Sequence, residues 1–227
     1  MKKIILIILF TFIFISRFFS LDSYILHSYM ADFSLFPDSP YKERYIKELT
    51  GKYSVHYNVQ SLFEISKSEA TGYSCQQILQ KLDQMGGLDK ECNGVSYVDL
   101  DGVRKPIFKK SIFDQATSEL FIKDKAAGGL NFSVKIDQYT SEGNIYAVNA
   151  VLNRKPNNIF VRGIKKDEAE IFVLMQEKTD TVKVYALIQC SYNPLEHKFL
   201  KTLVENAVTA RVMELQNWFY RMLCTKQ

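Results

Sequence analysis

The sequence predicts an α+β fold, an antiparallel β-meander of about six or seven strands packed on one long C-terminal helix. Three observations carry that expectation. Between Asn131 and Cys190 five short runs rich in Val, Ile, Phe and Tyr follow one another. Turn residues separate several of them, Ser141-Glu142-Gly143-Asn144, Lys155-Pro156-Asn157 and Thr179-Asp180, and strands joined by short links pair antiparallel rather than through crossover helices. After them, apolar residues recur at helical spacing for roughly seven turns to the end of the chain.

Each element can be justified in order. Met1-Lys2-Lys3 precedes an apolar run from Ile4 to Ile15, broken only by Thr11, and then Ser16-Arg17-Phe18-Phe19-Ser20. A dozen apolar residues in a helix rise about 18 Å, against roughly 30 Å of bilayer hydrocarbon, so residues 1–20 read as a secretory signal rather than a span. Cleavage after Ser20 places Leu21-Asp22 at the new terminus; Phe18, two before the cut site, is bulkier than the small-x-small rule prefers, and an uncleaved leader would serve as an anchor. The first cysteine is Cys75, so no lipid-modified N-terminal cysteine follows the run. The expected location is outside the cytoplasm, in the periplasm or cell envelope.

Residues 21–50 read as an N-terminal extension ahead of a single domain over 51–227. Tyr24, Tyr29, Phe33 and Phe36 show no period, and Pro37-Asp38-Ser39-Pro40 is punctuation. Ser39 can cap and Pro40 fits a first helical position, which predicts a short helix over 40–50 stopped by Gly51. Partial alternation at Tyr53, Val55, Tyr57 and Val59 predicts a strand running on toward Ile65. Ser74 then opens a helix with Ile78, Leu79, Leu82 and Met85 on one side, closed by Gly86-Gly87. Asp101-Gly102 supplies the positive φ of a tight turn, predicting a hairpin with strands over 95–100 and, more weakly, 103–109. The stretch to Gly128 has mixed patterning. Strands follow over 131–139, 145–153, 158–162, 171–177 and 182–190. Pro194 marks the start of the last helix, whose broad apolar face holds Phe199, Leu200, Leu203, Val204, Ala207, Ala210, Leu215, Trp218, Phe219 and Met222.

Strand, helices, meander and terminal helix in that order resemble the helix-grip architecture of START-like and Bet v 1-like domains. There a curved sheet wraps a long C-terminal helix and often encloses an apolar cavity; the resemblance covers residues 53–224 as topology. It implies an apolar or lipid-like ligand between sheet and helix, with Leu203, Ala207, Leu215, Trp218 and Phe219 as candidate contacts. A second resemblance is at the level of short strings. Gly94-Val95-Ser96-Tyr97, Arg104-Lys105-Pro106-Ile107-Phe108 and the segment from Ala210 to Phe219 resemble parts of an uncharacterised family of exported spirochaetal proteins. That family brings no activity with it.

Charge and motif content narrow the function further. The leader holds Lys2, Lys3 and Arg17 of the 29 basic residues and none of the 25 acidic ones, leaving a mature chain at a formal +1. Such a balance supplies no phosphate-binding field, so nucleic acid is not an expected partner. Membrane association is expected only through an uncleaved leader or protein contacts. Cys75, Cys92, Cys190 and Cys224 are disulfide candidates in an oxidising compartment; Cys75 with Cys92 and Cys190 with Cys224 is one pairing, four buried free thiols the alternative. None has C-x-x-C spacing.

No P-loop, dinucleotide fingerprint or Gly-x-Ser-x-Gly elbow occurs, and His27, His56 and His197 stand apart from one another, so no enzyme, metal site or cofactor is predicted. Ser39-Pro40-Tyr41-Lys42 has Ser-x-x-Lys spacing without its companion motifs, and reads as a cap. Asp99-Leu100-Asp101-Gly102 opens like a calcium loop but has Lys110 at the twelfth position, and reads as a turn. Lys165-Lys166-Asp167-Glu168 cancels its own charge. Two functions follow: a non-enzymatic envelope protein binding an apolar small molecule, or an interaction module docking on another envelope component, with Tyr24, Tyr29, Phe33 and Phe36 as anchors.

Overall fold

The computed structural model describes residues 24–140, 144–156, 163–192 and 198–225. The leader, the strand expected over 158–162, Pro194 and His197 lie outside the described residues, as do the side chains of Phe199 and Leu200.

Among the described residues ten strands and three α-helices follow in order: β1 (Tyr24–Ser28), α1 (Lys42–Thr50), β2 (Tyr57–Ser66), α2 (Cys75–Leu79), β3 (Ser96–Val98), β4 (Arg104–Pro106), β5 (Phe108–Asp114), β6 (Glu119–Asp124), β7 (Gly128–Tyr139), β8 (Asn144–Leu152), β9 (Ala169–Glu177), β10 (Thr181–Cys190) and α3 (Lys198–Cys224). Single 3₁₀ turns at Leu82–Met85 and Glu91–Asn93 fill the space between α2 and β3. Eight strands form one sheet in the order β1-β2-β10-β9-β8-β7-β6-β5, with β3 and β4 as a separate hairpin. All pairs are antiparallel, and β2 lies beside β10 with Tyr57 opposite Cys190 and Ser66 opposite Thr181. The first long strand thus closes against the last, with helices inserted between β2 and the meander and a long helix after it: an α+β, helix-grip-like arrangement.

The strand patterns follow from what covers each face. On the inner face, Phe63, Val173, Met175, Val182, Val184 and Ala186 meet α2, the 3₁₀ turns and α3. On the outer face, Phe172, Leu174, Tyr185 and Leu187 meet Phe36, Tyr45 and Leu49. Strands β8 to β10 are therefore apolar at nearly every position, because side chains on both sides of the pleat are buried.

Two differences from the sequence reading have the same origin. Residues 24–50 are built into the core rather than appended to it: β1 is the eighth strand, and the ring of Phe36 lies 4.9 Å from that of Tyr185 and 5.8 Å from that of Phe172. An apolar outer face needs a cover, and α1 with residues 33–41 supplies it. The mixed stretch 108–124 is a β-hairpin, β5 and β6. Its lysines sit on strands that have lost the outer cover: Phe108, Leu120 and Ile122 turn inward, while Lys109, Lys110 and Lys123 are exposed.

Local caps are as the letters suggest, with one shift. Ser74 and Gln77 form a reciprocal capping box on α2. The helix stops at Leu79, and the apolar series continues as a 3₁₀ turn ending at Gly86. There a side chain is sterically barred, since a Cβ would stand 2.1 Å from the backbone nitrogen of Ser111. α1 begins two residues later than expected: Tyr41 stands at the cap position with no side-chain cap bond, and Ser39, two residues before it, closes the preceding turn, its hydroxyl accepting the N–H of Tyr41 at 3.1 Å and its carbonyl that of Lys42.

Candidate functional site

Helix α3, about 40 Å long at 27 residues, is the element against which the predicted ligand contacts must be judged. Its last half buries Val212, Leu215, Gln216, Trp218, Phe219, Met222 and Leu223. Its first half is held at the rim of the curved sheet. Val204 and Val208 pack, as Ile25 and Tyr29 do, against the cluster of Tyr57, Val59, Cys190 and Val212, while the His27 ring bonds Tyr57 Oη at 3.2 Å and Thr209 Oγ1 at 2.9 Å. Tyr29 donates to Glu205. On the helix's other side Arg211 grips the buried Asp124 of β6 with two bonds, Nε to Oδ2 at 2.7 Å and a terminal nitrogen to Oδ1 at 2.6 Å. β1, at one end of the sheet, and β6, next to the other end, are thereby tied to one stretch of helix.

The helix C-terminus is closed as firmly. The amides of Gly72 and Tyr73 donate to the carbonyls of Leu223 and Met222 at 2.7 and 2.9 Å, satisfying groups that a helix end leaves free. Arg221 reaches back to the carbonyls of Cys92 and Gly94 at 2.9 and 2.6 Å.

Between α3 and the sheet remains a void of about 30 Å³, lined by apolar side chains that include Leu82, Met85, Phe108, Val173, Leu215 and Phe219. Small-molecule sites occupy roughly 300–1,000 Å³. Of the five predicted contacts, only Leu215 and Phe219 border this void. Trp218 is buried beside Phe219, their rings 5.0 Å apart and edge to face, without lining it. Ala207 is half-buried, and Leu203 is 54% exposed. The five do not converge, because the apolar stripe that engages the sheet runs Val204, Val208, Val212, Leu215, Phe219 and leaves Leu203 and Ala210 facing outward. A larger open groove of about 260 Å³ lies elsewhere on the inner face, at the rim between Leu79 and Gln80 of the α2 end and Phe113, Gln115, Val134 and Gln138. No sequence motif marked it.

A buried polar cluster ties the N-terminal segment to the sheet. Glu170, almost inaccessible, accepts bonds from Gln189 Nε2 at 2.8 Å, Tyr53 Oη at 3.2 Å and Lys52 Nζ at 3.4 Å; Gln189 also donates to the Leu49 carbonyl at 2.8 Å. Every member serves the join between the α1 exit and β9–β10. Burial, with the Glu170 carboxylate beside it, pushes the Tyr53 hydroxyl well above the ordinary phenol range. A phenol held protonated in this way donates a structural bond and offers no base.

The remaining candidates resolve into structural roles. All four cysteines are free thiols. Cys190, at the end of β10 opposite Tyr57, lies with Val212 near the middle of α3, far along the helix from Cys224, so that pairing is not formed. Cys75 is buried at the start of α2 and its thiol is raised by burial and by Glu177; Cys92 instead sits beside the end of α3, 3.7 Å from Thr225 Oγ1. Burial also lifts the Cys190 thiol, to about 11. Lys42 pairs with Asp38 at 3.3 Å. Asp99 accepts the amides of Asp101 and Val103 at 3.0 and 2.9 Å, closing a turn. Among the described residues no cluster of His, Cys, Asp and Glu could hold a metal, and no helix is long and apolar enough to cross a membrane.

No protein-family model and no curated protein matches this chain. Among solved structures, the chain is similar to the protein XoxI from Bacillus cereus, at 13% identity over 71% of this chain and 94% of that one, with a TM-score of 0.34. A score that low carries no argument about function.

Proposed function

We propose that the protein is an exported, non-enzymatic component of the cell envelope that acts through its surface, as an interaction module docking on another envelope protein. The observation that carries this reading is the filled space beneath α3, where about 30 Å³ remains. Export rests on the Ile4–Ile15 leader. The contact is assigned to β1. Of the four aromatic anchors expected in residues 21–37, Phe36 is buried, Phe33 packs on the outer-face core and Tyr29 binds Glu205, whereas Tyr24 is 72% exposed, with Leu26 and Met30 also open. Among the described residues nothing pairs with the outer edge of β1. An extended segment of a partner can add there as a ninth strand, its backbone taking the free edge and its side chains covering Tyr24 and Leu26.

Cross-linking in intact producing cells tests the reading. Tagged full-length protein should capture one envelope protein, and the double substitution Tyr24→Lys, Leu26→Lys should abolish capture with an unchanged melting temperature. Capture that survives the substitutions removes β1 as the contact; no captured envelope protein removes the interaction reading.

A second reading, binding of an apolar or lipid-like ligand on the inner face, is supported by the 260 Å³ groove beside Leu79 and Phe113 rather than by the space near Trp218. Native mass spectrometry of protein purified from the envelope distinguishes it: a co-purifying small molecule supports it, a ligand-free mass sinks it.

A further inference from the structure

The tip of the β3–β4 hairpin carries three aliphatic side chains that nothing among the described residues covers. Leu100 is 90% exposed, and Val98 and Val103 on either side are each more than half exposed. The turn is complete in itself: Asp99 takes the amides of Asp101 and Val103, Gly102 supplies a φ of +77°, and the Gly102 amide returns to the Asp99 carbonyl at 3.0 Å. A turn satisfied this way holds its aliphatic side chains out without support from the body of the protein.

The base of the same hairpin is basic. Lys105 stands opposite Tyr97 across β3–β4, and Lys125 donates to the Tyr97 hydroxyl at 2.9 Å with its ammonium 5.3 Å from the ring centre. Next along the chain, Lys109 and Lys110 open β5, and Lys110 lies directly opposite Lys123 of β6. All five lysines are exposed. Like charges facing one another across a strand pair are unfavourable unless an anion lies between them. Nearby carboxylates do not supply one: Asp99 is held by Lys105 at 2.5 Å, and Asp124 is turned inward to Arg211. Asp101, at the tip, is the one exposed acid within residues 95–110 and 120–125; Asp114 and Glu119 are exposed at the far end of the β5–β6 hairpin.

We infer that this hairpin docks on an anionic bilayer surface, with Leu100, Val98 and Val103 entering the acyl boundary and Lys109, Lys110, Lys123 and Lys125 meeting lipid phosphates. An aliphatic tip with lysines at and beyond the base of its hairpin, and a tyrosine bonded to one of them, is the side-chain chemistry that an interface of charged headgroups over hydrocarbon selects. The inference goes beyond a protein partner at β1 and does not depend on it. It also adds a route to the membrane beyond the leader or protein contacts that composition led us to expect, since a formal +1 averages away a local excess of lysine.

Co-sedimentation with phosphatidylcholine vesicles, with or without phosphatidylglycerol, tests it. Full-length protein should bind the phosphatidylglycerol-containing vesicles at low salt, and lose most binding at high salt as lysine–phosphate attraction is screened. Leu100→Ser, and separately Lys109→Gln with Lys110→Gln, should each weaken binding roughly tenfold. These side chains are exposed, so melting temperatures serve as the folding control. Because the leader is common to all three proteins, equal binding by all three would assign membrane affinity to the leader and overturn the proposal. Failure of the parent protein to bind, or equal binding to both vesicle types, would overturn it as well.

Discussion

Residues 212–223 of α3 bury Val212, Leu215, Trp218, Phe219, Met222 and Leu223 against the inner face, whereas residues 204–211 reach the sheet through Tyr29–Glu205, His27–Thr209 and Arg211–Asp124 at its rim. The last half adds a large buried apolar face to bonds of its own from Gln216 and Arg221, whereas the first half buries less and leans more on directed bonds. Under the last half of the helix lie β2 and β10, apolar on the inner side. Beside the first half, Val204 and Val208 pack on the smaller cluster of Tyr57, Val59 and Cys190, and β1 and β6 add polar partners. Area burial tolerates sliding of a helix along its axis; a two-bond Arg–carboxylate grip does not. The Arg211–Asp124 grip, together with the Gln216 and Arg221 bonds farther along, sets the register in which the apolar face packs.

The largest expected effect comes from the half with the larger buried apolar face. Phe219 is buried, packs edge to face on Trp218 and borders the existing void, so Phe219→Ala enlarges an empty space that neighbours cannot close. A loss of about 3–5 kcal/mol is expected, which lowers the melting temperature of a chain this size by about 10–15 °C. Thermal unfolding followed by circular dichroism measures it. A fall of only a few degrees would mean that the last half of α3 is not the main stabilising contact.

The rim should respond differently to single and double substitutions. Arg211→Met leaves the Asp124 carboxylate buried with its amide bonds from Ala126 and Ala127 but without a counter-charge. The expected cost is about 3 kcal/mol. Arg211→Met combined with Asp124→Asn should recover much of that, since most of the penalty belongs to the orphaned charge rather than to the lost bonds. Equal melting temperatures for the single and double variants would show that the grip stabilises through its bonds. Either way, the apolar half predicts no such recovery, because a cavity has no second partner to neutralise.

The same contrast explains what could be read from the letters. Strands β8 to β10 and the last half of α3 are legible because burial leaves a periodic apolar record: Val182, Val184 and Ala186 inward, Tyr185 and Leu187 outward. The turn at Asp99–Gly102 is legible because its chemistry is local. Long-range polar contacts leave no such record. Arg211 and Asp124 are 87 residues apart, and each alone reads as surface charge. Without that constraint, the apolar face of α3 extends naturally through Leu203 and Ala210, which the structure turns outward. Strands β5 and β6 escaped for a related reason: Lys109, Lys110 and Lys123 look like loop residues until the missing outer cover is known. Leu100 gives no signal either, since exposure of a turn residue depends on how far the hairpin stands from the body.

The smallest expected effect lies where the two halves of α3 meet. Glu214 accepts a bond from Asn217 Nδ2 at 3.1 Å and faces Arg221 on its own helix and Arg104 of β4. Burial raises its pKa, and the Asn217 bond and the two arginines only partly offset that. With the folded pKa above the unfolded one, folding favours the protonated acid. The associated stability is fully present below the unfolded carboxyl range, near pH 4, and is lost as pH rises through the folded value. Glu214→Gln keeps the acceptor for Asn217 and removes the charge. The variant should therefore melt a few degrees higher than the parent at neutral pH, and the difference should vanish as pH falls toward 4. A variant less stable at neutral pH would show that attraction to Arg221 and Arg104 exceeds the cost of burying the carboxylate. Glu214 would then belong with Arg211, Gln216 and Arg221 among the directed contacts of the helix.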